Sequence, residues 1–321
     1  MSEPSISVVI RCFNEEEHIG RLLTGLMRQQ RPPDQIVIVD SGSTDATLAI
    51  ASRFPVDVKT IRPEEFSFGR SLNIGCAAAT GDVIVNASAH VYPMYDSWLS
   101  ELTAPFGDPR TALSYGRQVG GEQTKYSEQR VMARWFPPVS DPDQQHAFCN
   151  NANAAIRRSV WETQPYDEEL TGLEDLDWAK KALDAGHRIA YVATAPIVHL
   201  HEETFPQLVN RYRREAIAHK RIYREQHMSA LDAIRLALGN MVNDYWHAAR
   251  DGVLLGNLWS IPSFRTAQFL GTYRGFRQRG EASALLKKHF YYPHSWRRVE
   301  AERPQDARLI HYDEVEPPRA G

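Results

Sequence analysis

Three groups of polar residues follow strand-like runs of the sequence, and their side chains could bind a ligand or handle charge. They are residues 13–17 (FNEEE), Asp40 with Ser41, and residues 88–90 (SAH). The GxGxxG signature of dinucleotide-binding folds is missing after the first run, and an acidic turn would repel a pyrophosphate. The carboxylates of the first two groups can instead accept hydrogen bonds from a nucleoside base or a ribose.

Each group also has a purely structural interpretation. Asp40 lies in the segment VDSGSTD, where an aspartate often stabilises a turn and caps the following helix. His90 follows an apolar strand, and a lone histidine at a strand end is commonly a core residue. We expect His90 to do chemistry if other histidines or arginines share its cleft.

The elements that must position these groups alternate between strand and helix. Strands are predicted at residues 5–12, 35–40, 56–61 and 82–86, and helices at residues 15–30, 46–54 and 70–79. Continuous apolar runs such as VVI and IVIV indicate a parallel sheet that is covered on both faces. Ligands collect at the carboxyl ends of such strands. The sequence therefore predicts an α/β fold with the three polar groups at one edge of the sheet.

The second half of the chain gives a less regular pattern. Residues 113–142 are rich in Gly, Gln and Pro and are predicted to form surface loops. Further elements are a helix at 174–185, apolar runs at 189–192 and 197–200, and Arg-rich helices at 208–224 and 230–250. The polar residues 304–321 are expected to form a loosely held tail.

Composition excludes several classes of protein. With 37 basic and 40 acidic residues the formal net charge is −3, which gives no electrostatic basis for wholesale nucleic-acid binding. The three cysteines are far apart and odd in number, so neither a disulfide framework nor a zinc knuckle is expected. The chain starts without a basic leader, and no apolar run approaches the roughly 20 residues of a membrane-spanning helix. A cytoplasmic location is expected, and peripheral contact with the inner face of the membrane is one alternative.

Four segments together resemble the inverting glycosyltransferases of family 2, which have the GT-A fold. They are SVVIRCFNEEEHI, QIVIVDSGSTDAT, NIGCAAATGDVIVNASAHVYP, and GLEDLDWAKKALDAG followed by HLHEE. The resemblance covers about residues 5–205. It implies a GT-A domain at residues 1–205, with a Rossmann-like, mostly parallel sheet flanked by helices. A helical region would follow at 206–303 and a polar tail at 304–321.

The resemblance implies that a nucleotide-diphosphate sugar, carrying UDP or GDP, binds at the strand ends. When the family's donor contacts are carried over by position, the residues that would contact this donor are Arg11, Phe13, Glu15, Asp40, Arg70, Asn73, Ser88 and Asn151. Arg70 is offset from the usual Arg-Asn pair of the family, so a solvated helix face is an equal alternative for it.

The same resemblance raises the question of a metal. In the family the fourth strand typically ends in Asp-x-Asp, which binds a divalent cation that bridges the two phosphates, but here Ser88 and His90 occupy those positions. Imidazole suits Mn²⁺ better than Mg²⁺. A site for Mn²⁺ or Mg²⁺ would thus use His90, His199 and His201 with phosphate oxygens. In the metal-free alternative, protonated histidines and a nearby arginine offset the charge of the leaving diphosphate.

Glu174 and Asp175 carry the second implication of the resemblance. The family uses a Glu-Asp pair at this point, and Asp175 matches the general base that takes the proton of the attacking hydroxyl. The structural alternative is that Glu174, Asp175 and Asp177 stabilise the positive end of a helix dipole. Both interpretations can hold together.

The implied function is inverting transfer of a sugar to a hydroxyl of a growing glycan, a lipid-linked saccharide or a small molecule. The loss of Asp-x-Asp suggests one alternative, a non-catalytic nucleotide-sugar-binding or scaffold protein. A nucleotidyltransferase is a second alternative, but it would need a Gly-rich, Lys-bearing phosphate loop where this chain has FNEEE. The apolar and Arg-bearing segment from Trp246 to Tyr273 would form a homodimer interface, lie on a membrane or, by default, pack on the main domain.

Overall fold

The structure of the protein is a computed structural model, and it contains an eight-stranded sheet. The structure describes residues 3–200, 203–223, 225, 227–277 and 307–312. The strands are β1 (Ile6–Cys12), β2 (Gln35–Asp40), β3 (Asp57–Thr60), β4 (Val83–Ser88), β5 (Val91–Pro93), β6 (Thr111–Gly120), β7 (Asn153–Arg157) and β8 (Arg188–His199). They are arranged in the order β3-β2-β1-β4-β7-β6-β8-β5.

The sheet is mixed but mostly parallel, which confirms the predicted fold class. Strands β1 to β4 pair in parallel, and β6 pairs in parallel with β8. Strand β7 runs antiparallel between β4 and β6, and β5 is antiparallel to β8. The carboxyl ends of β1, β4 and β8 therefore lie at the same edge of the sheet.

Ten α-helices are found in the described part of the chain. They are α1 (Ile19–Met27), α2 (Thr47–Ala51), α3 (Phe68–Ala78), α4 (Trp98–Thr103), α5 (Tyr126–Trp135), α6 (Arg158–Thr163), α7 (Glu174–Asp184), α8 (Phe205–Ile222), α9 (Ala230–Arg250) and α10 (Ser260–Arg277). The predicted helices of the first half are present, although α1 begins four residues later than expected because residues 16–18 form turns.

Helices cover both faces of the sheet, as the apolar strand sequences require. Successive residues of a strand point to opposite faces. Accordingly, Val8 and Ile10 of β1 belong to a cluster with residues of α1 and α4, whereas Val9 belongs to a cluster with residues of α3 and α7. Burial of both clusters fixes the strand ends that carry the polar groups.

Two predictions about the fold are wrong. Residues 113–142 are not surface loops, because they contain most of the interior strand β6 and the whole of helix α5. A Cβ on Gly116 would collide with the carbonyl oxygen of Ala195, so this glycine is required by close strand packing rather than by a loop. Residues 307–312 are not loose either, since Leu309 bridges to Tyr95 and the Tyr312 hydroxyl donates to the Pro93 carbonyl at 2.6 Å.

Helices α8, α9 and α10 form the predicted helical region and dock on α5. Asp244 of α9 is fully buried and accepts hydrogen bonds from Arg265 at 2.7 and 3.0 Å and from the Ser127 hydroxyl at 2.7 Å. A buried ion pair of this kind links α9, α10 and α5. Among the described residues, no helix combines the length and apolar character that crossing a bilayer requires.

Candidate active site

A cavity of about 640 Å³ opens at the carboxyl edge of the sheet. Its floor comes from the ends of β1, β4 and β8, and its walls come from the start of α7 and the first turns of α8. Eight predicted site residues line it: Arg11, Glu15, Ser88, His90, Asn151, Glu174, Asp175 and His199. The structure therefore brings together residues that are up to 188 positions apart in the sequence.

The acidic wall of the cavity is the first turn of α7. Asp175 is only 8% exposed, and its carboxylate accepts backbone N–H bonds from Asn151 at 3.1 Å and from Leu176 at 2.8 Å. Glu174 is buried beside it, 3.4 Å from the guanidinium of Arg11. Burial, and secondarily the charge of Glu174, raise the pKa of Asp175 to about 7. Such a carboxyl can accept a proton near neutral pH.

Strained backbone occurs at two places on the cavity wall. Asn14 and Leu173 have φ values of 53° and 56°, and they are the non-glycine residues with positive φ in the described chain. Both line the cavity. Left-handed backbone in a branched residue such as Leu173 costs about 1–3 kcal/mol and is concentrated at functional sites. At Leu173 this conformation sets the direction in which α7 begins, and so the position of Asp175.

The histidines form a second part of the cavity. His90 follows β4, and its Nδ1 is hydrogen-bonded to the Glu15 carboxylate at 2.8 Å. The His90 ring stacks on His199 with centroids 5.1 Å apart and planes inclined by 21°. Nδ1 of His199 is in turn bonded to Gln118 at 2.8 Å. His201, the third predicted metal ligand, lies outside the described residues.

These contacts bear on the predicted divalent cation. Within the residues that the structure describes, no group of three His, Cys, Asp or Glu side chains is arranged to hold a metal ion. One ring nitrogen of His90 and one of His199 are already engaged by Glu15 and Gln118. The described side chains thus do not fit a metal site built by the protein alone, and a cation would need ligands from the bound substrate.

Arginines of α8 provide positive charge on the cavity wall, and Arg214 lies beside the loop that leads into α7. Arg214 lies over the ring of Phe68 at 4.5 Å, and Arg11 lies over the same ring at 5.1 Å. Arg211 is paired with Glu128 at 2.7 Å and with Glu203 at 3.0 Å. The metal-free alternative predicts a nearby arginine that offsets the charge of the diphosphate. The sequence gave no signal for Phe68, which starts α3 and packs against two of the guanidinium groups.

Four predicted donor contacts do not line the cavity. Phe13 is 53% exposed beside it, and Arg70 lies on the solvent face of α3. The Asp40 carboxylate accepts the backbone N–H groups of Gly42 at 3.0 Å and Ser43 at 3.1 Å, which is the turn-stabilising role given as its alternative. The side chain of Asn73 bonds the loop around Tyr166 instead. The nucleotide contacts of these four residues stay predictions.

A second, smaller cavity of about 160 Å³ adjoins the first and shares Asp175 with it. Its walls are largely apolar and include Trp135 and Phe148, whose rings stack with centroids 4.3 Å apart. The sequence gave no signal for it because α5 was not predicted. The Asp175 carboxylate therefore lies between a polar cavity and an apolar one.

Comparisons with known proteins agree with this architecture. Residues 7–163 match the family model described as glycosyl transferase family 2. The chain is 29% identical over 223 residues to the O-antigen chain rhamnosyltransferase WbaN of Salmonella anatum, a match that covers 65% of this chain and 70% of the relative.

Two solved structures share the fold. The mannosyltransferase PcManGT of Pyrobaculum calidifontis, in complex with GDP-Man and Mn²⁺, matches with a TM-score of 0.62 and 16% identity over 87% of this chain and 89% of that one. S. aureus TarS 1-349, in complex with UDP-GlcNAc, matches with a TM-score of 0.53 and 15% identity over 96% and 99%. At these identities the similarity concerns the fold.

Proposed function

We infer that the chain belongs to glycosyltransferase family 2, whose model its residues 7–163 match, and that it uses a nucleotide-sugar donor. On this premise we propose that it inverts the anomeric centre of the sugar, with Asp175 as general base. One observation carries the proposal. Asp175 is a buried carboxyl with its pKa raised to about 7, and it lies at the junction of a polar and an apolar cavity.

The proposed reaction is a single in-line displacement. Asp175 takes the proton of the acceptor hydroxyl while that oxygen forms a bond to the anomeric carbon of the donor. The bond between this carbon and the oxygen of the diphosphate breaks on the opposite side, and the electron pair leaves with the nucleoside diphosphate. Glu174 is proposed to assist by holding Arg11 and Asn151, whose side chains lie 3.4 Å from its Oε1. General-base catalysis typically contributes about 10²- to 10⁴-fold.

The leaving diphosphate is proposed to lie between the histidines and α8. Arg214, Arg211 and His90 line the cavity, and their N–H groups can donate charge-assisted hydrogen bonds to phosphate oxygens. Glu15 is proposed to orient His90 through the hydrogen bond to Nδ1. Ser88 and Asn151, which also line the cavity, would contact the donor, while Phe13 and Asp40 flank it.

A divalent cation, Mn²⁺ or Mg²⁺, is proposed to come with the donor rather than to be held by the protein alone. Such a cation would supply positive charge that offsets the charge of the leaving diphosphate. The described side chains do not form a three-ligand group, and His90 and His199 are the residues that would contact the ion. Donor binding should therefore be measured both with Mn²⁺ and with a chelator.

The acceptor is proposed to enter beside Trp135 and Phe148. An apolar cavity next to the base suits the less polar side of a sugar ring or a deoxy group, and excludes water from the proton-transfer step. WbaN is named as a rhamnosyltransferase of O-antigen chains. We therefore propose that this protein extends a bacterial surface glycan, on a lipid-linked acceptor at the cytoplasmic side of the membrane.

The second candidate function is non-catalytic binding of a nucleotide sugar. It is favoured by Ser88 and His90 at the end of β4, since neither of these two side chains carries a carboxylate that could bind a cation. It would leave the raised pKa of Asp175 without a role. Turnover of donor decides between the two functions, since a scaffold binds the donor but neither transfers nor hydrolyses it.

The test combines calorimetry with a turnover assay. UDP and GDP are titrated into the protein with EDTA and, separately, with Mn²⁺, and release of nucleoside diphosphate from the matching sugar donors is then followed. We expect tighter binding with Mn²⁺ for one nucleotide, and sugar transfer or slow donor hydrolysis with that donor. Binding without any turnover would favour the scaffold, and absence of binding to both would contradict the proposed donor site.

A further inference from the structure

The outward face of α9 is apolar along its whole length. Leu231, Ile234, Leu238, Val242 and Trp246 recur at a spacing of three or four residues and are all exposed, Leu231 by 74% and Trp246 by 55%. We call these five residues the apolar face of α9. Residues three and four apart lie on the same side of a helix, so they form one continuous stripe.

This face is not needed for packing within the chain. The opposite side of α9 already carries its buried residues, among them Leu236 and Asp244, which contact α10 and α5. Further exposed apolar residues follow the end of the helix in the sequence, where Leu255 is 84% exposed and Trp259 is 86% exposed. Extended apolar patches of this kind are rare on monomeric soluble proteins and mark an interaction surface.

The charges on this surface favour one kind of partner. Arg235 and Arg250 are exposed on the same side as the apolar face, and the Arg250 guanidinium lies 4.7 Å from the Trp246 ring. The nearby carboxylates lie at the two ends of α9, where Asp232 accepts from Ser229 in the helix cap and Asp251 accepts from the Tyr126 hydroxyl. Exposed tryptophans flanked by arginines match the composition that lies at an anionic lipid interface.

We propose that the apolar face of α9, together with Leu255 and Trp259, binds the surface of an anionic lipid bilayer. The helix would lie in the plane of the interface, with its apolar side chains about 5–10 Å into the boundary of head groups and acyl chains. Arg235 and Arg250 would contact lipid phosphates. This inference rests on exposure and charge rather than on catalysis, so it can be tested without turnover.

The experiment is vesicle flotation of the full chain. Wild-type protein is compared with Trp246→Ser/Trp259→Ser and with Arg235→Gln/Arg250→Gln, on vesicles of phosphatidylcholine with or without phosphatidylglycerol. We expect binding to the anionic vesicles, a loss of at least about tenfold in the tryptophan variant, and a loss of about 5- to 30-fold in the arginine variant at about 1 kcal/mol per arginine. The matched control is Val139→Ser, because Val139 is also an exposed apolar residue and is distant in sequence from α9. This variant should bind the vesicles like wild type.

Other outcomes would overturn the proposal. If wild type does not float with anionic vesicles, the surface does not bind lipid. If light scattering instead shows a dimer that the tryptophan variant dissociates, a second copy covers this face. Because none of the substituted residues lines the main cavity, nucleotide titration of each variant reports separately on the donor site and on folding.

Discussion

Replacing Asp175 by Asn should abolish most activity and at the same time stabilise the protein at neutral pH. A carboxyl whose pKa is higher in the folded than in the unfolded protein binds its proton more tightly when folded. The unfolded chain then loses that proton first, so the free energy of unfolding falls as the pH rises from about 3.8 to about 7 and stays low above it. Asparagine carries no such penalty because it does not ionise.

The magnitude follows from the shift. A pKa raised from 3.8 to about 7 lowers the free energy of unfolding at pH 8 by at most about 4 kcal/mol, at 1.36 kcal/mol per pKa unit. Part of the raised pKa comes from the neighbouring charge of Glu174. We therefore expect Asp175→Asn to raise the free energy of unfolding by about 2–4 kcal/mol. With an unfolding entropy of about 2.1 cal/mol/K per residue, this raises Tm by about 3–6 °C. At pH 5 the gain should be less than half as large.

The assay pairs thermal unfolding at pH 5 and pH 8 with donor turnover over the same range. Wild-type kcat/KM should rise about tenfold per pH unit and level off above about pH 7, whereas Asp175→Asn should lose about 10²- to 10⁴-fold. Asp177→Asn is the matched control. It removes one negative charge from the same helical turn, where Asp177 pairs with Lys181 at 2.7 Å and does not line the cavity. Equal loss of activity in both variants, or near-normal turnover in Asp175→Asn, would refute the assignment.

Three further predictions concern binding and packing. Asp244→Asn leaves Arg265 buried without its counter-charge and should lower the free energy of unfolding, measured in urea, by about 3–5 kcal/mol. The double variant Asp244→Leu/Arg265→Met should recover most of this stability. A loss below about 1 kcal/mol in Asp244→Asn would contradict the buried pair. Arg214→Gln should weaken nucleoside diphosphate binding about 10- to 100-fold while sparing the nucleoside, and calorimetric loss equal for both would argue against a phosphate contact. Gly271→Val should destabilise the contact of α10 with α8 by about 1–3 kcal/mol, whereas Gly239→Ala, which has open space around it, should be neutral or stabilising by thermal melts.

Much of the first half of the fold, and helix α7 of the second half, could be predicted because each of these elements carries its own pattern. Strands β1, β2 and β4 are continuous apolar runs, and α7 begins at the acidic residues Glu174 and Asp175 and ends before Gly186, whose φ is 85°. Strand β6 was missed because its buried positions include polar residues. Ser114 donates to the Leu102 carbonyl and Gln118 accepts from His199, so the polarity is satisfied by distant partners that local sequence does not reveal.

The candidate site likewise contains residues whose arrangement local sequence predicts and residues whose arrangement depends on distant parts of the chain. Glu174 and Asp175 are adjacent, and their position at a helix start could be predicted. The pair of Glu15 and His90 could not, because 75 residues separate them and two different turns must meet. Phe68 gave no signal for the same reason, since its partners Arg11 and Arg214 come from β1 and α8.

The docking of residues 307–312 has a consequence for how the chain is made. Leu309 pairs with Tyr95, and Tyr312 packs against Tyr92 at a ring distance of 5.4 Å, more than 200 positions earlier in the chain. During synthesis the edge of the sheet beside β5 is therefore incomplete until residues 307–312 have left the ribosome. Nascent chains that stall or are cut before residue 307 would expose this edge, which is a template for pairing with other chains.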